Sequence, residues 1–170
     1  MTVRMSMLPP AYRSGLVVML GAMVVILTAL GFEYIGGYAP CPLCLQQRYA
    51  YYASIPLGVL ALVLISARRE RAAALTFLVI ALAFLANAVL ATYHAGAEWE
   101  LWPGPEGCTA AGSLSTNAGD LLRNLATTRV APCTQAAIRL FGVSLAGWNV
   151  VASLALAAGA AYAAKRAGRH

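Results

Sequence analysis

The chain has 170 residues, of which 61% are hydrophobic and 11% charged, and its mean hydropathy of +0.71 is too high for an ordinary water-soluble domain. Its net charge of +6 comes from 12 Lys and Arg against 6 Asp and Glu. Most of the basic residues sit in short segments flanking apolar runs, so the charge reads as membrane topology and argues against nucleic-acid binding.

Four runs contain no Asp, Glu, Lys or Arg: Ser14 to Phe32, Tyr49 to Ala67, Ala72 to Tyr93 and Leu140 to Ala164. Each reaches the roughly 18 to 20 residues that cross about 30 Å of hydrocarbon at about 1.5 Å per residue. They are predicted to be transmembrane helices over residues 14–35, 48–67, 72–93 and 140–164, because in lipid only a helix satisfies all its backbone groups within one segment. Arg4 and Arg13 before the first run also suit a signal peptide. That run is longer than the roughly 7 to 15 residues of a signal's apolar region, and Tyr38-Ala39-Pro40-Cys41 offers no small-x-small cleavage site, so an uncleaved helix is expected.

Eight of the 12 basic residues lie in three segments: Arg4 and Arg13, then Arg68, Arg69 and Arg71, then Lys165, Arg166 and Arg169. The positive-inside rule makes these segments and both termini cytoplasmic. The outer loops are then residues 36–47 and 94–139, which contain Cys41, Cys44, Cys108 and Cys133. Four cysteines on the exported side and none in the cytoplasm is the distribution expected of disulfides.

The link from Arg68 to Arg71 can join only adjacent antiparallel helices, and the first outer loop is also short. An all-α integral membrane protein follows, a single unit over residues 1–170 built as an antiparallel four-helix bundle with a long outer loop between helices 3 and 4. Gly21, Ala22, Ala29, Gly147 and Ala152 permit close helix approach. In the long loop, Trp99, Trp102-Pro103-Gly104-Pro105 and Gly107 form a turn-rich aromatic start suited to the headgroup region. Leu114, Leu121, Leu122 and Leu125 then fall at helix-compatible spacing, so a short interfacial helix and a partly ordered polar loop both fit.

Cys41-Pro-Leu-Cys44 is a C-x-x-C pair at the beginning of a helix. There the helix N-terminus stabilises a thiolate. Arg48 follows Cys44 by four residues and shares its face, so its permanent charge favours a Cys44 thiolate. Static disulfides are the competing explanation. For Cys108 and Cys133, 25 positions apart, that explanation is strong if the pair stands alone. It is weaker for Cys41 and Cys44, because so tight a ring constrains little chain. A zinc site from all four cysteines is disfavoured in an oxidising compartment, and no metal is expected.

With four predicted spans, Cys41-Pro-Leu-Cys44-Leu-Gln-Gln-Arg48 before helix 2 and a second cysteine pair before helix 4, the chain resembles the bacterial DsbB disulfide oxidoreductases. Tyr93-His94-Ala95-Gly96, Trp102-Pro103-Gly104-Pro105, Pro132-Cys133, Phe141-Gly142 and Trp148-Asn149 extend the likeness over nearly the whole chain. The resemblance implies a bacterial inner-membrane enzyme that reoxidises a periplasmic DsbA-like dithiol protein and passes the electrons to a membrane quinone, ubiquinone or menaquinone. It implies that the partner attacks Cys108, that the released Cys133 attacks Cys41, and that Cys44 is freed beside the quinone. Electron transfer from Cys44 would then restore the Cys41/Cys44 disulfide, with Arg48 holding the thiolate and a quinone oxygen.

His94, at the outer end of helix 3, is a further candidate for positioning or protonating the quinone, against the alternative of an interfacial histidine. Tyr49, Tyr51 and Tyr52 are candidate walls of the quinone site or boundary anchors. Asn87 and Asn149 are read as interhelical hydrogen-bonding residues and Glu33 as the outer limit of helix 1. The functional alternative is a non-catalytic membrane scaffold with two structural disulfides.

Overall fold

The computed structural model describes residues 8–105 and 133–169. Four helices dominate it: α1 Pro10–Tyr34, α2 Pro42–Ser66, α3 Glu70–Glu98 and α4 Leu145–Ala167. All four are long and apolar enough to cross a membrane. Between α3 and α4 lies a two-stranded antiparallel hairpin, β1 Arg139–Leu140 and β2 Val143–Ser144. Cys108 and the candidate interfacial helix at Leu114 to Leu125 lie outside the described residues.

The helix boundaries follow from local chemistry. Pro10 occupies the first turn of α1, where its missing N–H costs nothing. After α1, Gly37 takes φ +71°, a left-handed turn that glycine enters without steric cost. The second helix starts at Pro42, six residues before the predicted Arg48, because Cys41 is its N-cap and Pro42 fills the first position. The Cys41 sulfur accepts the Cys44 backbone N–H at 3.1 Å. Arg68, with φ 58°, turns the chain between α2 and α3, and the Arg69 N–H donates to the Leu64 carbonyl at 2.8 Å.

Two further boundaries differ from the sequence-based expectation. α3 continues past Tyr93 to Glu98, so His94 belongs to its body and not to a loop. No proline interrupts Ala95 to Glu98, and Ala95, Ala97 and Glu98 are good helix formers that carry the helix through Gly96. α4 starts at Leu145, not Leu140, because Phe141 (φ 52°) and Gly142 (φ 81°) form a two-residue hairpin turn. Ser144 then caps the helix, its hydroxyl accepting the Gly147 N–H at 3.2 Å.

The helices form a closed ring in which α1 packs on α2 and α4, and α3 packs on α2 and α4. The core is layered, with Phe77, Ile80 and Phe84 of α3 fully buried against alanines such as Ala22, Ala61 and Ala160. Large residues on α3 interdigitate with small ones on its neighbours, which brings the backbones close. Gly15 is the sharpest case, since a Cβ there would collide with the Phe77 ring. Val17, Val24, Leu27, Leu82, Val89 and Val151 face outward, an arrangement favourable in hydrocarbon.

At the cysteine end, Trp102 folds back onto α3. Its ring stacks on Tyr93 with centroids 6.0 Å apart, and its Nε1–H donates to the Tyr93 carbonyl at 2.9 Å. The ring lies over Gly96, where any Cβ would overlap it. Gly96→Val is therefore expected to expel Trp102 and cost roughly 1–3 kcal/mol, as overpacked sites do. Lower thermal stability in detergent, together with altered tryptophan fluorescence, is the result to look for.

Candidate functional site

The site is built where the start of α2, the end of α3 and the start of α4 converge. The N-cap geometry of α2 sets the first two sulfurs side by side, with Cys41 Sγ 2.8 Å from Cys44 Sγ. Both are free thiols here, Cys41 buried and Cys44 partly so. Cys41 donates to the Cys44 sulfur, and this hydrogen bond, followed by burial, holds the Cys41 thiol well above its ordinary range. Cys41 is thus the donor and Cys44 the acceptor of the pair.

Cys133 reaches the same place from the other cysteine-bearing segment. It is completely buried, is disulfide-bonded, and belongs to one apolar cluster with Cys41 and Leu43, against which Cys44 and Leu90 pack. Three of the four cysteines are thus gathered at one end of the bundle.

A cavity of about 360 Å³ opens beside them, walled by Phe32, Cys41, Cys44, Arg48, His94 and Trp148 among others. Tyr51 also lines it, whereas Tyr49 and Tyr52 are exposed and take no part. Of the three tyrosines, only Tyr51 points inward, because it alone lies on the α2 face that meets α3 and α4. The volume suits the ring of a small planar ligand, and the walls combine apolar surface with a few polar groups, as ligand sites do.

Arg48 forms a close ion pair with Glu33 of α1 in the wall of this cavity. Glu33 is one residue from the end of α1, so it lies at the limit expected from the sequence, but it also supplies the counter-ion of Arg48. The pair is largely buried, with side-chain exposures of 11% and 22%. Such a pair fixes the orientation of the guanidinium while leaving its other N–H groups for a ligand oxygen.

His94 is 2% exposed, with Nε2 3.5 Å from Cys41 Sγ and Nδ1 2.9 Å from Gln47 Nε2. Glu98, one turn farther along α3, places Oε1 3.7 Å from His94 Nε2, while its Oε2 has no hydrogen-bond partner among the described residues. Behind them, Gln47, Asn149, Tyr51, Ser153 and Asn87 form one hydrogen-bonded chain through the bundle. Asn87 and Asn149 thus make the interhelical bonds expected of them. Ligand-type atoms of Cys41, Cys44 and His94 lie within 4.8 Å of one another, close enough to meet around a metal ion.

The sequence reading missed Gln47 and Glu98. Gln47 follows Cys44 by three positions, and Glu98 follows His94 by four. Each spacing puts the residue on the face of its functional neighbour once the helix is extended to include it. Glu33 was visible but had no assigned partner, because its contact with Arg48 joins two different helices.

A dithiol set at the end of a membrane helix, beside a cavity holding an arginine and a histidine, defines a membrane thiol-redox protein. The family comparison agrees. The model for the family "Disulfide bond formation protein DsbB" matches residues 12–163, and the chain belongs to that family. The chain is also similar to the uncharacterized protein RP370 of Rickettsia prowazekii (strain Madrid E), with 24% identity over 137 residues that cover 79% of this chain and 77% of that protein. No solved structure matches the chain.

Proposed function

We propose that the protein is a thiol:quinone oxidoreductase that reoxidises a DsbA-like dithiol protein on the outer side of the inner membrane. The DsbA, DsbB and quinone system keeps the bacterial periplasm oxidising. The observation that carries the reading is the gathering of Cys133 against Cys41 and Cys44, two sulfurs that line a cavity with Arg48. A scaffold with two static disulfides gives no reason for an arginine-bearing cavity beside a free dithiol.

Each step but the last exchanges one sulfur–sulfur bond for another, and the last forms one by giving up two electrons. A partner thiolate attacks Cys108, forming a mixed disulfide and releasing Cys133 as a thiolate. Cys133 attacks Cys41, so the Cys133–Cys41 bond forms, the Cys41–Cys44 bond breaks, and the electron pair leaves on Cys44. The second partner thiol then resolves the mixed disulfide, and Cys108 becomes a thiolate. Its attack on Cys133 restores that outer bond and frees Cys41. Finally, Cys41 and Cys44 rejoin as two electrons pass into the cavity.

A quinone bound there supplies the two-electron, two-proton acceptor, and its protons balance those given up by the partner dithiol. The residues fit such a ring: Phe32 and Trp148 offer apolar walls, and Arg48 offers N–H donors to a ring oxygen that gains negative charge. Arg48 does this while Glu33 holds its orientation, and His94 lines the same cavity. Ubiquinone and menaquinone share the ring oxygens that these groups recognise.

Wild-type protein offered a reduced partner whose second cysteine is changed to serine tests the order of exchange. Without the resolving sulfur, the partner should remain bonded to Cys108, giving a heterodimer that dissociates on reduction and is visible on a non-reducing gel. A heterodimer bonded through Cys133 instead of Cys108 would reverse the two roles.

A further inference from the structure

The polar chain behind the cysteines has a direction. The Tyr51 hydroxyl donates to Asn149 Oδ1, Asn149 Nδ2 donates to Gln47 Oε1 at 2.5 Å, and Gln47 Nε2 donates to His94 Nδ1 at 2.9 Å. The far end is braced by Ser153, which lies 3.3 Å from the Tyr51 oxygen and accepts from Asn87 Nδ2 at 2.9 Å. Gln47 has its carbonyl committed to Asn149, so only its NH2 is left to face the histidine.

A neutral imidazole has one N–H and one lone pair, and the hydrogen bond made at one nitrogen decides what the other carries. With the Nδ1 lone pair taken by Gln47, the hydrogen is on Nε2. That nitrogen faces Cys41 Sγ at 3.5 Å, and the backbone N–H of Cys44 approaches the same sulfur at 3.1 Å. We propose that Gln47, braced by Asn149 and Tyr51, is a positioning residue that fixes His94 as its Nε2–H tautomer, and that this N–H donates to the Cys41 sulfur when that sulfur is a thiolate.

The proposal rests on the reading of Cys41 as the sulfur that exchanges with Cys133. In that exchange, Cys108 attacks Cys133, the Cys108–Cys133 bond forms, the Cys133–Cys41 bond breaks, and the electron pair leaves on Cys41. Two donors then meet the new thiolate, His94 Nε2–H and Cys44 N–H. A better-stabilised leaving thiolate departs faster. The same tautomer argues against Cys41, Cys44 and His94 acting as a metal centre. Ligation through Nε2 needs the lone pair there and the hydrogen on Nδ1, held by an acceptor. Gln47 presents a donor instead.

The other charged or titratable groups around Cys41 are Cys44, Arg48 and Tyr51 from α2, Glu33 from α1, Tyr38 between those helices, and Glu98 from α3, with Arg139 of β1 acting on Glu98. The experiment removes the thiol neighbours and keeps the rest. In full-length protein in detergent with Cys44, Cys108 and Cys133 each changed to serine, Cys41 is the sole thiol, and its alkylation rate is followed against pH. Loss of a donor to the thiolate raises the thiol's midpoint, so Gln47→Met should move it up by about one pH unit, slowing alkylation about tenfold below the midpoint. His94→Ala should give a shift at least as large, and Gln47→Met should add nothing on that background, since both act through one N–H.

A wild-type ¹⁵N spectrum of the imidazoles provides a measurement that no folding defect can obscure, and it should show His94 protonated at Nε2. Protonation at Nδ1, an unmoved midpoint in Gln47→Met, or a Gln47→Met shift that persists in full on the His94→Ala background would each overturn the proposal. None of these readouts needs a quinone, so failure here is separable from failure of the quinone reading.

Discussion

Cys44→Ser is expected to abolish quinone reduction by a reduced partner, lowering turnover by more than about 1000-fold, the scale seen when a reacting nucleophile is removed. Serine's hydroxyl cannot form the disulfide and does not ionise in the relevant range. The bundle should survive, because Cys44 is only partly buried and the α2 N-cap depends on the Cys41 sulfur accepting a backbone N–H, not on the Cys44 side chain. Circular dichroism and the yield of membrane-inserted protein check that point. Turnover retained in an inserted Cys44→Ser protein would mean that another sulfur donates the electrons.

Arg48→Ala carries the second large effect. Loss of a donor aimed at a developing oxyanion typically costs about 10²- to 10³-fold in turnover, and a weaker hold on the ring should also raise the apparent quinone KM. Insertion should be unaffected, because the basic residues flanking the opposite helix ends remain. The substitution also strands the Glu33 carboxylate, a stability cost unrelated to quinone. Arg48→Ala/Glu33→Gln removes that complication. It should recover thermal stability in detergent yet leave the turnover defect in place. Recovery of turnover along with stability would show that Arg48 acts only as the partner of Glu33.

Much of the fold was readable because lipid imposes a severe rule: a spanning segment must be long, apolar and helical. Ser14 to Phe32 and Ala72 to Tyr93 announce themselves by that rule alone. The rule says nothing about where a helix continues beyond the hydrocarbon. Charge content placed the start of helix 2 at Arg48, although Cys41 as N-cap and Pro42 at the first position begin it earlier. The same limit hid the last turn of α3, and with it the pairing of His94 and Glu98. Phe141-Gly142 was hidden for the opposite reason, since an apolar run free of charge contains a turn and a cap that hydropathy does not register.

The site followed a similar division. Cys41, Cys44, Arg48 and His94 were legible from spacing, because their relations are local or rest on a motif. The contacts that orient them cross between helices. Glu33 meets Arg48 from α1, Asn149 meets Gln47 from α4, and Cys133 enters the Cys41 cluster from a distant segment. One sequence without a packing arrangement holds no record of which faces meet. Asn87 and Asn149 could be recognised as hydrogen-bonding residues, since a buried amide in a membrane helix needs a partner, but not as parts of one chain leading to His94.

Anaerobic quinone reduction by the purified protein, driven by a reduced DsbA-like protein and assayed with ubiquinone and menaquinone separately, is the decisive measurement for the proposed electron path. One quinol should form for each partner disulfide with at least one of the two quinones, and no reaction should occur when either the protein or the partner dithiol is omitted. Partner dithiol left reduced with both quinones, or quinol formed without partner oxidation, would contradict it.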